Sequence, residues 1–124
     1  MGFLLVFIGS GMGGMMRHGM GLLSLRLLGP SFPYGTLGIN ILGSGLMGLV
    51  VALFAAFNLG NQEVRLFLTT GIIGGFTTFS TFSLDAVVLW QRGERFAAVG
   101  YVVTSVGLSV MALVLTMHLA RRWV

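Results

Sequence analysis

The sequence predicts an all-α membrane protein with four transmembrane helices, and three observations support this fold class. The chain of 124 residues is 56% hydrophobic and only 8% charged, whereas a soluble domain carries about a quarter charged residues. Four weakly charged stretches each approach the length of about 20 apolar residues that a helix needs to cross a bilayer. Short polar breaks separate them, so neighbouring helices are expected to run antiparallel within one domain.

The composition argues against several other classes of function. The chain has no cysteine, so it cannot form a disulfide framework or a thiolate metal site. Its net charge of +4 comes from scattered arginines, which do not make the basic patch of a nucleic-acid-binding protein. No Ser-His-Asp arrangement and no cluster of His, Asp and Glu suggests catalysis or a zinc site. We therefore expect neither an enzyme nor a nucleic-acid partner.

The first span is predicted at about residues 2–25 and the second at about residues 35–57. Arg17 and His18 interrupt the first span. No basic side chain precedes them, so we interpret this span as retained rather than as a signal peptide. The segment that follows contains two prolines. It is predicted to be a loop, because residues before proline are disfavoured in helices. The second span carries no charged residue.

The third span is predicted at about residues 64–90 and the fourth at about residues 96–120, with a polar turn at residues 58–63 before the third. Trp123 and the two arginines before it close the fourth span as an interfacial anchor. The third span is predicted to break near Gly74–Thr78, where two glycines precede a phenylalanine and two threonines. Backbone groups released at this depth must face protein, water or an ion.

The arginines predict insertion in both orientations. With four spans, the cations outside the helices divide three against three: Arg65, Arg121 and Arg122 on one side, Arg26, Arg92 and Arg95 on the other. The positive-inside bias that orients small membrane proteins is therefore balanced. Two opposed copies would pair about an axis in the membrane plane, the symmetry of inverted-repeat transporters. We predict an antiparallel, dual-topology homodimer; uniform insertion with a weak bias is the alternative.

Aromatic and hydroxyl side chains are concentrated in the third span. Phe76, Phe79 and Phe82 are three residues apart and would share one side of a helix. The edge of an aromatic ring is positive, so rings presented edge-on attract an anion without a fixed charge. Ordinary packing is the alternative, but threonine and serine hydroxyls, including that of Ser80, surround these rings and favour a path for a small solute or ion.

Polar stripes are predicted on two other spans. Their members are four residues apart: Thr36, Asn40 and Ser44 on the second span, and Tyr101, Ser105 and Ser109 on the fourth. Asn40 is costly in hydrocarbon unless its amide is hydrogen-bonded, so it either donates to an anion or joins two helices. Polar stripes on two helices and ring edges on a third favour a shared path over unrelated bonds.

Two further features within the membrane need partners. Arg17 either gathers anions in an aqueous vestibule or extends its head group to the near interface. Carbonyl groups released at the predicted break are suited to a cation such as Na⁺, and two pairs on a two-fold axis would make four ligands. A glycine kink whose carbonyls accept from threonine hydroxyls is the alternative.

The residues resemble one known family. The run Gly74-Gly75-Phe76-Thr77-Thr78-Phe79-Ser80-Thr81-Phe82 closely resembles the third-span signature of the Fluc (CrcB) fluoride channels. Gly35-Thr36-Leu37 with Asn40 and Gly43 is similar to that family's second-span motif, and the segment from Gly13 to Arg17 is similar to its first-span glycine-arginine motif. His18 departs from the aromatic residue that is usual there.

The resemblance implies an antiparallel, dual-topology homodimer with two pores and a central Na⁺, which exports fluoride passively across the cell membrane of a microbe. It implies that Phe79 and Phe82 are the paired pore phenylalanines and Asn40 the pore asparagine. It implies a polar track at Tyr101, Ser105 and Ser109, and Na⁺ bound by the carbonyls of Gly74 and Thr77. We place Thr36 and Ser80 on the same fluoride path.

Two other functions remain open. A proton-coupled small multidrug transporter has a similar length and number of spans, but its exchange requires a membrane-embedded carboxylate, typically in the first span. Here the first two spans contain no acid, and Asp85 lies late in the third. A non-transporting subunit of a membrane assembly would explain closely packed glycines, such as the pairs Gly9/Gly13 and Gly71/Gly75, but not the polar stripes.

Overall fold

The computed structural model describes residues 1–57 and 60–123, and across these residues the chain is helical and contains no β-strand. The helices are α1 (Gly2–Leu28), α2 (Tyr34–Ala56), α3 (Gln62–Leu66, continued by the π-helix Phe67–Ile73 and the turn Gly74–Phe76), α4 (Ser80–Gln91) and α5 (Arg95–Trp123). Asn58 and Leu59, in the turn predicted between the second and third spans, lie outside the described residues.

Three helical segments are long and apolar enough to cross a membrane: Tyr34–Ala56, Gln62–Gln91 and Arg95–Trp123. The chain is therefore an all-helical membrane protein. α1 contains 27 residues, which is also sufficient length, but its glycines and the Arg17-His18 pair make it less apolar. Its assignment as a fourth span stays a prediction.

α3 begins at a side-chain cap. The Asn61 side-chain oxygen accepts hydrogen bonds from the backbone N–H groups of Glu63 at 3.0 Å and Val64 at 3.3 Å. Asparagine is one of the preferred residues at this position, because it satisfies N–H groups that have no partner within the helix. The polar turn thus sets the start of the third helix.

α1 and α3 pack backbone to backbone through the two glycine pairs. A Cβ atom on Gly9 would lie 2.8 Å from the Cα atom of Gly71, and one on Gly75 would lie 2.5 Å from the carbonyl oxygen of Ser10. Small residues four apart allow this close approach. The pairs Gly9/Gly13 and Gly71/Gly75 therefore make contacts within the chain.

The other helices enclose a small core. α2 packs mainly along α5, where the Thr116 hydroxyl donates to the carbonyl oxygen of Gly45 at 2.7 Å. Between α4 and α5, a buried cluster contains Phe82, Leu89, Ala98 and Tyr101. The junction of α3 and α4 therefore lies among helices α1, α2 and α5, which provide the side chains around it.

Candidate functional site

The backbone between α3 and α4 leaves the helical conformation at Thr77, Thr78 and Phe79. Thr77 is extended, with φ −80° and ψ 158°. The N–H of Thr78 donates to Oδ1 of Asn40 at 2.9 Å, and Nδ2 of Asn40 donates to the carbonyl oxygen of Thr78 at 2.9 Å. One side chain of α2 thus satisfies both backbone groups of Thr78, which a continuous helix would otherwise pair.

The break lies closer to the carboxyl terminus than the predicted Gly74–Thr78. Gly74 and Gly75 remain helical, and the backbone opens only after Phe76. The difference has a physical reason: Asn40 stabilises open backbone at Thr78, whereas Gly75 is required where α3 touches Ser10 of α1. The glycines serve helix packing, and the asparagine stabilises the break.

α1 also contributes a side chain to this region. Nε of Arg17 donates to the carbonyl oxygen of Gly75 at 3.2 Å. The guanidinium is half-buried and also lines a cavity between α1, α2 and α4. Arg17 therefore bonds to the backbone of α3 within the protein, and its role as a vestibule residue stays a prediction.

A cavity of about 440 Å³ lies between α2, the break and α5, and we call it the serine cavity. It brings together five residues predicted for an ion path from three separate spans: Asn40, Phe79, Phe82, Ser105 and Ser109. Ser44, from the same stripe as Asn40, also lines it. None of the described residues in its lining is charged, so hydroxyls, an amide and ring atoms lie among aliphatic groups on the cavity surface.

The hydroxyls of Ser105 and Ser109 are buried and have no hydrogen-bond partner among the described residues. Helical serines commonly bond to the carbonyl group one turn earlier, and neither of these does. A buried polar group left unsatisfied costs about 1–3 kcal/mol. Both serines belong to the lining of the serine cavity, so this cavity lies against two hydroxyls that have no partner among the described residues.

The three predicted phenylalanines do not share one face, because the break lies between the first and the other two. Phe76 is buried at the end of α3, while Phe79 and Phe82 line the serine cavity with ring centroids 5.5 Å apart. Phe82 is 7% exposed and packs on Tyr101 at 5.2 Å between centroids, whereas Phe79 is 77% exposed. Phe82 is thus partly a core residue, and Phe79 projects from the protomer.

A second cavity of about 570 Å³ lies against α1, and we call it the arginine cavity. Its polar lining comes from α1, α2, α4 and the adjoining loops: Arg17, His18, Ser24, Tyr34, Thr36, Thr78, Thr81, Asp85 and Arg92. Thr78 lines this cavity and the serine cavity alike. The two cavities therefore meet at the broken backbone.

Two of the residues predicted for the ion path line neither cavity in the described part of the chain. Tyr101 is fully buried, and its hydroxyl donates to Oδ2 of Asp85 at 3.1 Å. Ser80 is exposed, with its hydroxyl oxygen 3.5 Å from that of Thr78. Tyr101 therefore has a hydrogen-bond partner within the protomer, and Ser80 lies on the exposed surface just after the break.

Sequence reasoning overlooked two residues that the structure places at the site. Asp85 was described only as lying late in the third span, yet it is half-buried, lines the arginine cavity and pairs with Tyr101. An acid inside a span is itself a functional signal, which would have identified it. Thr78 joins the two cavities, and no pattern in the sequence separates it from its neighbouring threonines.

The fold and site together define a small helical membrane protein with a broken helix and two cavities that share Thr78 in their linings. Residues 4–117 match the family described as CrcB-like protein, Camphor Resistance (CrcB). The match covers most of the 124 residues, and the chain belongs to this family.

Individual relatives agree with the family match. The chain is 55% identical over 121 residues to the fluoride-specific ion channel FluC of Granulibacter bethesdensis, covering 98% of this chain and 95% of that protein. It is 52% identical over 118 residues to the protein of that name from Mesorhizobium japonicum, covering 95% and 94%. It is 50% identical over 121 residues to the one from Rhodopseudomonas palustris, covering 98% of both chains.

Proposed function

We propose that this protein is a fluoride-selective channel that passively exports fluoride across the cell membrane of a bacterium. The family, and relatives named as fluoride-specific channels at 50–55% identity, support this function. The structural observation that carries it is the pair of unpartnered hydroxyls of Ser105 and Ser109 in a cavity shared with Asn40 and two phenylalanine rings.

The serine cavity suits a small anion that holds its water tightly. A pore that removes those waters must replace them with donors at close range. Ser105 and Ser109 offer two O–H groups, and Asn40 has a second N–H besides the one bonded to Thr78. The positive ring edges of Phe79 and Phe82 supplement these donors. Because no cation lines this cavity, the ion is held weakly enough to leave.

The arginine cavity serves as the vestibule in this proposal. Arg17 and Arg92 line it, with Asp85 as the single carboxylate among the described lining residues, and a cleft lined by cations concentrates anions. Thr36 lines the vestibule and Ser80 lies beside Thr78. Tyr101 contributes to the path when its bond to Asp85 is exchanged for one to the ion.

We infer that the active form is an antiparallel homodimer with two pores, in which α1 is the fourth span. Phe79 is 77% exposed in one protomer, which is unfavourable for a ring proposed to face an ion path rather than lipid. A second copy would cover it. The balance of three arginines against three supports opposed orientations of the two copies.

We propose that Na⁺ binds at the dimer axis through the carbonyl oxygens of Gly74 and Thr77. The break supports this site, because the N–H of Thr78 that would bond Gly74 in a helix donates to Asn40 instead. Gly74 is exposed and Thr77 is extended. Two carbonyl groups from each copy would give four oxygen ligands, which a hard cation prefers.

Replacement of Na⁺ by N-methylglucamine is expected to lower fluoride flux; equal flux without Na⁺ would count against the site.

Liposomes test the proposed function. Purified protein in vesicles loaded with potassium fluoride should release fluoride when valinomycin provides a path for K⁺, with no pH gradient. The reason is that an uncharged donor track needs no proton exchange. A fluoride electrode measures the efflux, and protein-free vesicles are the control. Flux that appears only with a proton gradient would favour the multidrug-type transporter, and no flux at all would refute the channel.

Labelling tests the dual orientation. The chain has no native cysteine, so Glu94→Cys places a single thiol in the exposed loop between α4 and α5. An impermeant maleimide applied to intact cells should label about half of the protein, because the arginine bias is balanced. Acidic residues contribute little to orientation, so the substitution preserves the balance. Complete labelling, or none until the cells are opened, would rule out dual insertion.

A further inference from the structure

Arg17 is the only charged side chain in the described residues that hydrogen-bonds to the backbone of the broken helix. Its Nε lies 3.2 Å from the carbonyl oxygen of Gly75, across 58 residues of sequence. In a continuous helix this carbonyl would accept from the N–H of Phe79, but Phe79 lies within the break. Arg17 therefore supplies the donor that the break removes.

Close backbone contacts between α1 and α3 surround the bond from Arg17 to Gly75. A Cβ atom on Gly13, one turn before Arg17, would overlap the carbonyl oxygen of Ile72 and lie 2.8 Å from the backbone nitrogen of Phe76. Gly75 itself touches Ser10. The base of the Arg17 side chain and its acceptor are thus parts of one packed unit.

Two side chains from different helices hold the two ends of the break. Arg17 of α1 bonds to Gly75 at the end of α3, and Asn40 of α2 bonds to Thr78 just before α4. Between these two anchors lie Phe76 and Thr77. Their positions decide where the Thr77 carbonyl points and how Phe79 enters the serine cavity.

We propose that Arg17 is a positioning residue for conduction. Its Nε–H bond to Gly75 sets the geometry of the break, and this bond, more than the positive charge, determines the rate at which each channel carries fluoride. The inference rests on the proposed function. It differs from the role of a vestibule cation, in which the charge alone would act on the anion.

Two substitutions separate the bond from the charge. Arg17→Cit, with citrulline introduced by suppression of a stop codon, keeps the Nε–H and removes the charge. Arg17→Lys keeps a charge and removes the planar donor at the position of Nε. Arg26→Lys is the matched control, because Arg26 lies in the last turn of the same helix and is not among the described residues that line either cavity at the break.

The readout is the fluoride current of single channels in planar bilayers. Substitution of a residue that is needed only for folding changes the number of active channels and leaves the current of each channel unchanged. We expect Arg17→Cit to keep the unitary current within about threefold of wild type, and Arg17→Lys to lose about tenfold or more, since positioned hydrogen bonds act on rates at this scale. Arg26→Lys should match wild type.

Three outcomes would overturn the inference. Current restored by lysine but lost with citrulline would assign the effect to charge. Loss in both variants would show that the bond is insufficient, and normal unitary current in both would show that Arg17 is dispensable. These results are distinct from failure of the proposed function, in which wild-type protein itself would carry no fluoride current.

Discussion

Asn40→Ala is expected to abolish fluoride conduction and to lower the stability of the fold. The substitution removes both 2.9 Å hydrogen bonds that hold Thr78 at the break. It leaves the N–H and carbonyl group of Thr78 without partners at membrane depth, where each unsatisfied group costs roughly 1–3 kcal/mol or more. The serine cavity also loses the only side-chain amide among the described residues that line it.

Fluoride efflux from liposomes and thermal unfolding in detergent measure the two effects. Asn40→Asp keeps an acceptor for the Thr78 N–H, so it should recover part of the stability. It should remain non-conducting, because a carboxylate repels fluoride.

Thr116→Val is the matched control for Asn40. It removes a different interhelical hydrogen bond, the one from α5 to Gly45, and preserves the side-chain shape. Such a bond contributes on the order of 1 kcal/mol, so stability should fall modestly and fluoride flux should stay close to wild type. Fluoride flux near the wild-type rate in Asn40→Ala would contradict the role assigned to the break.

Gly13→Ala is expected to prevent accumulation of folded protein. The added methyl group would overlap the carbonyl oxygen of Ile72 and lie 2.8 Å from the nitrogen of Phe76. Both neighbours are backbone atoms of α3, so rotation of a side chain cannot relieve the clash. Separation of α1 from α3 would also break the bond from Arg17 to Gly75.

Whether Gly13→Ala raises or lowers the stability of the protein is informative. In a helix, replacing glycine by alanine ordinarily stabilises by about 1 kcal/mol, so a loss can only come from packing. Gly11→Ala is the control, because a Cβ atom there meets nothing within 4 Å in the described protomer. Yield of monodisperse protein and its thermal midpoint should fall sharply for Gly13→Ala and hold or rise for Gly11→Ala. Equal behaviour of the two variants would contradict the backbone contact.

Much of the helical architecture could be predicted, because hydrocarbon imposes simple rules. Charge-free stretches of bilayer length predicted the second, third and fourth helical segments, and these are the segments apolar enough to span. The run from Gly74 to Phe82 also indicated a break in the third helix. Its position was misplaced toward Gly74, since the residue that stabilises it, Asn40, lies 38 residues away from Thr78.

Contacts between residues that are far apart in the sequence could not be predicted from local patterns. Periodicity grouped Phe76 with Phe79 and Phe82, but the break turns Phe76 into the core. The bond from Tyr101 to Asp85 pairs a residue assigned to the ion path with an acid that had been assigned no role. Spacing along one helix indicates which residues share a face, and it does not indicate which other helix that face meets.

The reversal potential with fluoride on one side of a planar bilayer and chloride on the other tests the central claim most directly. If the hydroxyls of Ser105 and Ser109 replace the water of the smaller anion, the wild-type potential should follow the fluoride gradient alone. Replacing both serines by alanine should reduce fluoride current without admitting chloride in its place. A wild-type potential near the value for equal permeability would contradict the account.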